Sequence, residues 1–325
     1  MRFFDAADVH ATLDYPTLIE ALRQAHLGAQ PEATHSVRDE PDGGENRFVT
    51  LVAWQRDNII AVKMVGVFPG NLARVAPQPS VQGLVAVFDA RTGAPRLVAD
   101  GAAMTFRKTA ADSALGSSLL AREDARVLLV VGAGGLAPHM VAAHRAARPS
   151  IREVLIWNRT RPRAEDLAQN HKEALTREGV SIRAVEDLDA AVAAADIISC
   201  VTMSDAPLVR GDCLKPGAHL DLVGAYLPHM READDAAIIR ATLFVDTREG
   251  MKGAGDLAQP VEAGVIGWNA VQADLFDLCQ GRHPGRASRD EMTCFKNVGG
   301  GHLDLFTAAV LHHVSSHADL HRSRS

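Results

Sequence analysis

Gly132, Gly134 and Ala137 form a Gly-x-Gly-x-x-Ala pattern directly after the apolar run Val127–Val131. Where a strand turns into a helix, the first glycine permits a tight turn and the second lets the backbone approach phosphate oxygens. The small third residue lets the helix pack on the sheet. The amides at the start of the helix then face the anion. The pattern predicts a dinucleotide-binding turn, which also includes Gly135.

The elements around this turn are those that a dinucleotide site requires. Pro138 falls in the first turn of the predicted helix, where its missing N–H costs little. A second apolar run, Glu153–Trp157, then returns as the next strand. A lone glycine pattern is weak because many ordinary loops match it, but the order strand, turn, helix, strand within about thirty residues favours the dinucleotide interpretation.

The residues after the second strand bear on which nucleotide binds. NAD-binding proteins usually carry a carboxylate there, which accepts hydrogen bonds from the ribose. This chain has Asn158, Arg159 and Thr160 instead, and these offer donors and positive charge to a 2′-phosphate. We therefore predict that NADPH is preferred and that NADH is possible. The alternative is that Arg159, Arg161 and Arg163 form a solvated loop.

Composition limits the class of protein. The chain has 325 residues, of which 47% are hydrophobic, and a formal net charge of −6. This length allows two domains with full cores, and the negative charge gives no support to nucleic-acid binding. No run approaches the length of a membrane span, and the start lacks a signal-peptide core. We expect a cytoplasmic protein whose partner is a small molecule, with no membrane or nucleic acid involved.

Histidines at four-residue spacing, His313, His317 and His321, would share one helix face near the end of the chain. Carboxylate or cysteine ligands at suitable spacing do not accompany them. We therefore predict no metal site.

The order of predicted elements indicates the fold class. A helical segment over about residues 3–28, with Asp14 or Thr12 as a possible helix cap, comes first. It precedes β-rich runs at 47–54, 59–66, 81–88 and 95–99, and a helix over about 105–120 follows. After the glycine turn, strands and helices alternate, as in a parallel sheet covered on both faces. The prediction is an α/β protein in which a Rossmann doubly wound parallel sheet, residues 122–299, is inserted into a smaller α+β sheet domain, residues 1–121 completed by 300–325.

Several segments, in this order along most of the chain, resemble the ornithine cyclodeaminase/μ-crystallin family, whose members include cyclic ketimine reductases, alanine dehydrogenases and amino-acid cyclodeaminases. The resemblance rests on Pro69–Asn71, Pro79–Gln82, Asp100–Thr105, Thr109–Ala114, the glycine turn, Ile156–Thr160, Val201–Thr202, Lys215–His219, Val223–Gly224 and Thr293–Gly299. It implies a homodimer whose interface is formed by the sheet domain. It also adds Thr109, Thr202, Val223 and Gly299 to the predicted cofactor contacts.

The resemblance further implies that cations of the sheet domain hold a substrate carboxylate. By position these are Arg38, Lys63 and Lys108, the last standing where the family has an arginine before Thr-Ala-Ala. Arg107 is displaced by one residue, which is about 100° around a helix, so it cannot simply take over. Lys63 interrupts an apolar strand, where a buried ammonium must find a partner, and it is our predicted catalytic residue. Gln82 is a predicted substrate contact that could hold a water.

One departure from the family pattern bears on the reaction. Cyclodeaminases and alanine dehydrogenases of the family carry an Asp where this chain has Tyr226, and a phenol is a poor base at neutral pH. This favours reduction of a preformed cyclic imino acid, Δ1-pyrroline-2-carboxylate or Δ1-piperideine-2-carboxylate, to L-proline or L-pipecolate. The proton donor is left open between Lys63, Tyr226 and a water held by Gln82. The alternatives are an ornithine or lysine cyclodeaminase, an alanine-type dehydrogenase, and a crystallin-like ligand-binding protein without catalysis.

Overall fold

The computed structural model describes residues 1–76 and 78–322, with side chains as far as Ser315. Its strands are β1 (Arg2–Phe4), β2 (Glu32–Asp39), β3 (Arg47–Trp54), β4 (Ile59–Val67), β5 (Val81–Asp89), β6 (Pro95–Asp100), β7 (Val127–Val131), β8 (Glu153–Trp157), β9 (Ser181–Ala184), β10 (Ile197–Cys200), β11 (His219–Leu222), β12 (Thr242–Val245), β13 (Val271–Asp274) and β14 (Thr293–Lys296).

The helices are α1 (Ala6–Thr12), α2 (Tyr15–Ala25), α3 (Gly101–Leu120), α4 (Ala137–Ala147), α5 (Arg161–Arg177), α6 (Leu188–Ala194), α7 (Asp235–Arg240), α8 (Gly255–Glu262), α9 (Leu275–Cys279) and α10 (Gly301–Arg322). None of the helices in this described part of the chain is long and apolar enough to cross a membrane. The side chains of His317 and His321, which belong to the histidine repeat, lie outside the described residues.

The chain divides into two compact units. The mixed-sheet unit comprises residues 1–25, 29–108 and those from Gly300 onward, and the parallel-sheet unit comprises residues 26–28 and 109–299. The division falls within α3, between Lys108 and Thr109, whereas the predicted domain boundary at 121/122 lies at the end of that helix. The last segment of the chain thus belongs with the first.

The mixed-sheet unit is built on six strands in the order β1-β6-β5-β4-β3-β2. β1 pairs with β6 in parallel, and all the other pairs in this described sheet are antiparallel. Helix α10 packs against β2, β3, β4 and β5 and against α2. It covers the face that carries Ala53, Ile59 and Ala61, all of them buried. A strand and a helix from opposite ends of the sequence therefore share one core.

The parallel-sheet unit contains eight strands in the order β13-β12-β14-β11-β10-β7-β8-β9, and every pair is parallel. From β7 the chain proceeds to β8 and β9 on one side and to β10 and β11 on the other. The strand order therefore reverses between β7 and β10. In open α/β sheets, ligands bind at the carboxyl ends of the strands next to such a reversal. The predicted fold class is confirmed.

The predicted helical segment of residues 3–28 is mostly helical, but it begins with strand β1 and is divided into α1 and α2. Phe4 is buried in β1, and Asp5 then adopts an extended conformation and accepts a hydrogen bond from the amide of Asp8 at 2.8 Å, which starts α1. Asp14 accepts from the amide of Thr17 at 3.0 Å near the start of α2. Two side-chain caps thus divide the segment into separate helices.

Strand β2 was not predicted either. Seven of its eight side chains are exposed in the single chain, since it lies at the edge of the sheet. A strand of this kind has no alternation of apolar and polar residues to detect.

Candidate functional site

Lys63 is the buried cation of the mixed-sheet unit. It lies in β4 between Leu51 of β3 and Val85 of β5, and only 9% of it is exposed. Its ammonium donates to the hydroxyl oxygen of Thr105 at 2.8 Å, and that hydroxyl donates to the carbonyl of Gly101 at 2.7 Å. The first turn of α3 therefore fixes the position of the ammonium.

Asp304 provides the countercharge. This residue of α10 is 2% exposed, and its two carboxylate oxygens face two different lysines. Oδ1 lies 3.4 Å from the ammonium of Lys63, and Oδ2 lies 2.9 Å from that of Lys108. Lys108 also donates to the carbonyl of Gly300 at 3.4 Å. The structure thus brings the two predicted lysines together on one carboxylate.

A cavity of about 280 Å³ opens beside Lys63 within the mixed-sheet unit. Its walls are formed by Lys63, Val65, Val81, Gln82, Gly83, Gly101, Ala102, Thr105 and Phe106. Gln82, a predicted substrate contact, is part of this wall, and its amide nitrogen donates to the carbonyl of Pro79 at 3.2 Å. Lys108 is absent from the described wall, because its ammonium is directed at Asp304 and Gly300.

Arg38 is not brought to this cavity by the single chain. It pairs in register with Phe48, which pairs with Gly66, three residues beyond Lys63 along β4. Since successive side chains of a strand point to opposite faces, an odd offset places Arg38 on the other face of the sheet from Lys63. There it lines a separate surface cavity with Phe48 and Phe68. Its role as a substrate cation stays a prediction.

Arg107 is engaged elsewhere. Its guanidinium donates to Nδ1 of His10 at 3.1 Å and to the His10 carbonyl at 2.8 Å, and it stacks over the ring of Tyr15 at 4.5 Å. These contacts hold it against α1 and α2. The structure therefore supports the expectation that Arg107 does not replace the family arginine at the position of Lys108.

The charges of this cluster perturb one another. Burial, together with the positive charge of Lys108, lowers the pKa of Lys63 to about 8, and Asp304 partly opposes this shift. Burial alone would raise the pKa of Asp304, but the two lysines outweigh it and hold that pKa below its ordinary value. Asp304 is therefore ionised at neutral pH, whereas Lys63 titrates within the physiological range.

The predicted dinucleotide turn lies between β7 and α4 in the parallel-sheet unit. Gly132 has φ = 119°, and an added Cβ would lie 3.0 Å from the carbonyl oxygen of Val201, so only glycine fits there. At Gly134 an added Cβ would meet no atom within 4 Å. The amide of Ala133 donates to Oδ1 of Asn158 at 3.2 Å, which ties the turn to the end of β8. This open space above a helix start suits a phosphate group.

A cavity of about 270 Å³ adjoins the turn, at the point where the strand order reverses. Six of the predicted cofactor residues line it, namely Gly132, Gly134, Asn158, Arg159, Thr160 and Thr202. Arg163 lines it as well, and the described wall contains no carboxylate. Arg161 is directed away, because it pairs with Glu165 at 2.6 Å and with Glu186. Two of the three arginines therefore face the cavity.

Glu232 organises the strand ends on the other side of this cavity. Its buried carboxylate accepts from the amide and hydroxyl of Thr202 at 2.6 and 2.8 Å, and from the amide of Gly224 at 2.7 Å. Asp256 accepts from the amide of Glu232 at 2.7 Å and pairs with the buried Lys296 at 3.0 Å. Burial and the charge of Asp256 raise the pKa of Glu232 above its ordinary value.

The other predicted cofactor residues do not line the cavity. Gly135 is exposed beside Gly134, and Ala137 is the buried first residue of α4. Further along the sheet, the amide of Val223 donates to Glu232 at 3.2 Å, and the amide of Gly299 donates to Asp246 at 2.7 Å. The carbonyl of Thr109 accepts from Asn297 at 3.2 Å. Their roles as cofactor contacts stay predictions.

Two residues of these clusters, Asp304 and Glu232, were missed by the sequence analysis. A signal existed for Asp304, because it is a lone carboxylate within the apolar run Leu303–Phe306 of a predicted core helix, and a buried charge requires a partner. Glu232 lies in a polar loop segment and carries no such signal.

Comparison with known proteins gives matches that extend over most of the chain. Residues 8–317 match the model of the ornithine cyclodeaminase/mu-crystallin family. Delta(1)-pyrroline-2-carboxylate reductase of Paracoccus denitrificans is 41% identical over 314 residues, which cover 96% of each chain. Protein SAR DEFICIENT 4 of Arabidopsis thaliana is 38% identical over 314 residues, covering 95% of this chain and 96% of that protein.

Among solved structures, Delta(1)-pyrroline-2-carboxylate reductase of Thermococcus litoralis, in complex with NADH and L-proline, matches with a TM-score of 0.89. It is 26% identical, and the match covers 98% of both chains. The similarity therefore extends over both units.

Proposed function

The chain belongs to the ornithine cyclodeaminase/mu-crystallin family, and we propose that it is an oxidoreductase that reduces a cyclic imino acid with a reduced nicotinamide cofactor. The substrate is Δ1-pyrroline-2-carboxylate, Δ1-piperideine-2-carboxylate or both, and the product is L-proline or L-pipecolate. The names of the Paracoccus and Thermococcus relatives support the five-membered ring.

The observation that carries this proposal is the ammonium of Lys63 at the wall of its cavity. Among the described residues, its hydrogen-bond partners are Thr105 and Asp304, which engage two of its three N–H donors. The third N–H is available to a ligand. Lys63, Lys108 and Asp304 together carry one excess positive charge, which matches a substrate with a single carboxylate.

The residues of the parallel-sheet unit fit a nicotinamide dinucleotide. The open space at Gly134 would take the pyrophosphate, and the start of α4 adds its amides. Asn158, Arg159, Thr160 and Arg163 would hold the ribose end, where two arginines and the lack of a carboxylate in the described wall favour a 2′-phosphate. We infer that NADPH is preferred over NADH.

The chemistry follows from the charges around Lys63. The bound cofactor supplies a hydride for the imine carbon. The carboxylate and the imine nitrogen are attached to this same carbon, so one ammonium can contact both groups. Lys63 orients the anion and passes a proton from Nζ to the imine nitrogen, which becomes the amine of the product. The resulting neutral lysine regains its proton from solvent, for which a pKa near 8 is well suited.

The exposed face of the mixed sheet supports a homodimer. Phe48 and Trp54 are 47% and 52% exposed in the single chain. They lie on the face opposite Lys63, together with the half-buried Val62. An apolar face of this kind marks an interaction surface. We infer that a second copy of the chain covers it.

The test is an assay of NADPH and NADH oxidation with five- and six-membered cyclic imino acids, compared with pyruvate plus ammonia. We expect turnover with a cyclic imine and NADPH, and little with the other pairs. A parallel incubation with L-ornithine or L-lysine and NAD⁺ measures ammonia release, which would identify a cyclodeaminase instead. Turnover of pyruvate would indicate an alanine-type dehydrogenase. Tight NADPH binding without turnover of any substrate would indicate a binding protein.

A further inference from the structure

The carboxylate of Asp304 connects the two lysines of the mixed-sheet unit. It lies between two lysines, is almost completely buried, and comes from a helix far away in sequence. Removing one member of a buried ion pair leaves an uncompensated charge on the other. The three groups therefore act as one unit, and the state of each depends on the other two.

The two lysines of this unit are not equivalent. Lys63 forms part of the cavity wall, whereas Lys108 does not appear in the described wall. The ammonium of Lys108 is closer to Asp304, at 2.9 Å, than that of Lys63, at 3.4 Å, and its second partner is the carbonyl of Gly300. Lys108 thus contacts the carboxylate and the start of α10, and it is not part of the described wall beside Lys63.

We propose that Asp304 is a positioning residue that keeps Lys63 charged and pointed into the cavity, and that Lys108 holds Asp304 in place and offsets part of its charge without touching the substrate. The inference rests on the proposed function, because it assigns how the proton donor of that reaction is controlled. It also changes the role of Lys108 from a carboxylate ligand to a support.

Removing the charge of Asp304 and removing the charge of Lys108 should shift the pKa of Lys63 in opposite directions. Asp304 from α10 and Lys108 from α3 are the ionised groups that act on Lys63, while its neighbours in register on β3 and β5, Leu51 and Val85, are apolar. Asp304 raises the pKa of Lys63, so its neutralisation should lower that pKa further. Lys108 lowers it, so removal of the Lys108 charge should raise it.

The experiment measures kcat/KM for Δ1-pyrroline-2-carboxylate and NADPH as a function of pH in Asp304→Asn and Lys108→Met. The wild-type protein should lose activity above about pH 8. We expect this alkaline limb to move down by about one pH unit in Asp304→Asn and up by about half a unit in Lys108→Met. Lys108→Arg should restore the wild-type limb. Lys172→Met, which removes an exposed lysine of α5, is the matched control.

A second measurement does not depend on turnover. The titration of Lys63, followed by NMR of lysine side chains labelled with ¹³C at Cε and assigned with Lys63→Arg, should show the same two opposite shifts. It remains informative if Asp304→Asn does not fold, because the wild type and Lys108→Met suffice for a comparison.

If the pKa of Lys63 shifted in the same direction in Asp304→Asn and Lys108→Met, or did not shift in either, the inference would be overturned. So would a Lys108→Met variant whose KM rises more than tenfold while the alkaline limb stays in place, because that result indicates direct contact with the substrate. If the wild type did not reduce cyclic imines at all, the proposed function would fail, whereas opposite shifts in the NMR titration would still support the coupling of the three residues.

Discussion

Glu232 accepts both the amide and the hydroxyl of Thr202, at 2.6 and 2.8 Å, and it thereby fixes the end of β10 beside the cavity next to the glycine turn. The side chain of Glu232 accepts every hydrogen bond that it shares with Thr202, Val223, Gly224 and Ala225. A carboxylate can satisfy such a set, whereas a group that carries its own N–H cannot.

Glu232→Gln should therefore weaken dinucleotide binding. The amide would direct its NH2 group at other donors, and one unsatisfied buried group costs about 1–3 kcal/mol, so we expect the Kd for NADPH to rise about tenfold. Isothermal titration calorimetry measures this Kd, and Glu262→Gln, at an exposed position of α8, serves as the control. An unchanged Kd in a folded Glu232→Gln protein would contradict the role given to this residue.

The three arginines near the end of β8 should separate by function. Arg159→Ala and Arg163→Ala should each raise the Kd for NADPH about tenfold, since a hydrogen bond to a charged group contributes about 1.5–3 kcal/mol, and should change the Kd for NADH by less than about twofold. Arg161→Ala should leave both values unchanged, because Arg161 pairs with Glu165 and Glu186. Fluorescence titration with both nucleotides checks this. Equal losses for the two nucleotides would exclude a 2′-phosphate contact.

The two glycines of the turn should respond differently to alanine. Gly132→Ala should lower the free energy of unfolding by about 1–3 kcal/mol, because a side chain at φ = 119° is strained and would crowd Val201. Gly134→Ala should leave that free energy almost unchanged, because its Cβ meets no protein atom. It should nevertheless weaken NADPH binding by occupying the space for phosphate. Urea denaturation and calorimetry measure the two effects, and a strongly destabilised Gly134→Ala would contradict the second.

Lys63→Ala should abolish turnover and spare NADPH binding. In the wild type the ammonium is the active form, so kcat/KM should be constant below about pH 8 and fall about tenfold per pH unit above it. Lys63→Arg keeps a positive charge that does not titrate in this range, and it should lose the alkaline limb together with most of the activity. Since the imine also titrates, its own pKa must be measured separately. Normal turnover by Lys63→Ala would place the site elsewhere.

Val62→Asp should prevent dimer formation without unfolding the monomer. The substitution puts a charge on the apolar face of the mixed sheet opposite Lys63, where burial against a second copy would be costly. Light scattering coupled to size-exclusion chromatography gives the mass, and circular dichroism monitors the fold. Lys172→Asp on α5 is the charge-changing control. A wild-type protein that elutes as a monomer would contradict the proposed interface directly.

The sequence was most informative where structure is local. The turn at Gly132 and the strands β7 and β8 follow from a glycine pattern and two apolar runs, because a tight turn and a buried parallel strand each impose a short, recognisable residue pattern. The edge strand β2 imposes no such pattern, since seven of its eight side chains are exposed. In the N-terminal segment Asp14, one of the two predicted caps, does start α2, whereas β1 was missed because a strand of three residues is too short to show a pattern.

The candidate site could be predicted from the sequence only in part. Lys63 and Lys108 were identified by a buried charge and by family resemblance, but their common partner Asp304 is separated from Lys63 by 241 residues. No periodicity connects positions so far apart. Arg38 was grouped with Lys63 and Lys108 as a substrate cation by its position in the family pattern. The face of the sheet on which its side chain lies depends on the strand register, which cannot be read from the sequence.

The mixed-sheet unit is completed by α10, the last helix of the chain. During synthesis, Lys63 of β4 and Lys108 of α3 are made long before α10, which carries their countercharge Asp304. The whole parallel-sheet unit is made in between. Nascent chains fold domain by domain at roughly 5–20 residues per second, so the parallel-sheet unit has time to fold first. Lys63 and Lys108 remain without their carboxylate until α10 has been synthesised, so the charge balance around the cavity is established only after the inserted sheet has been made.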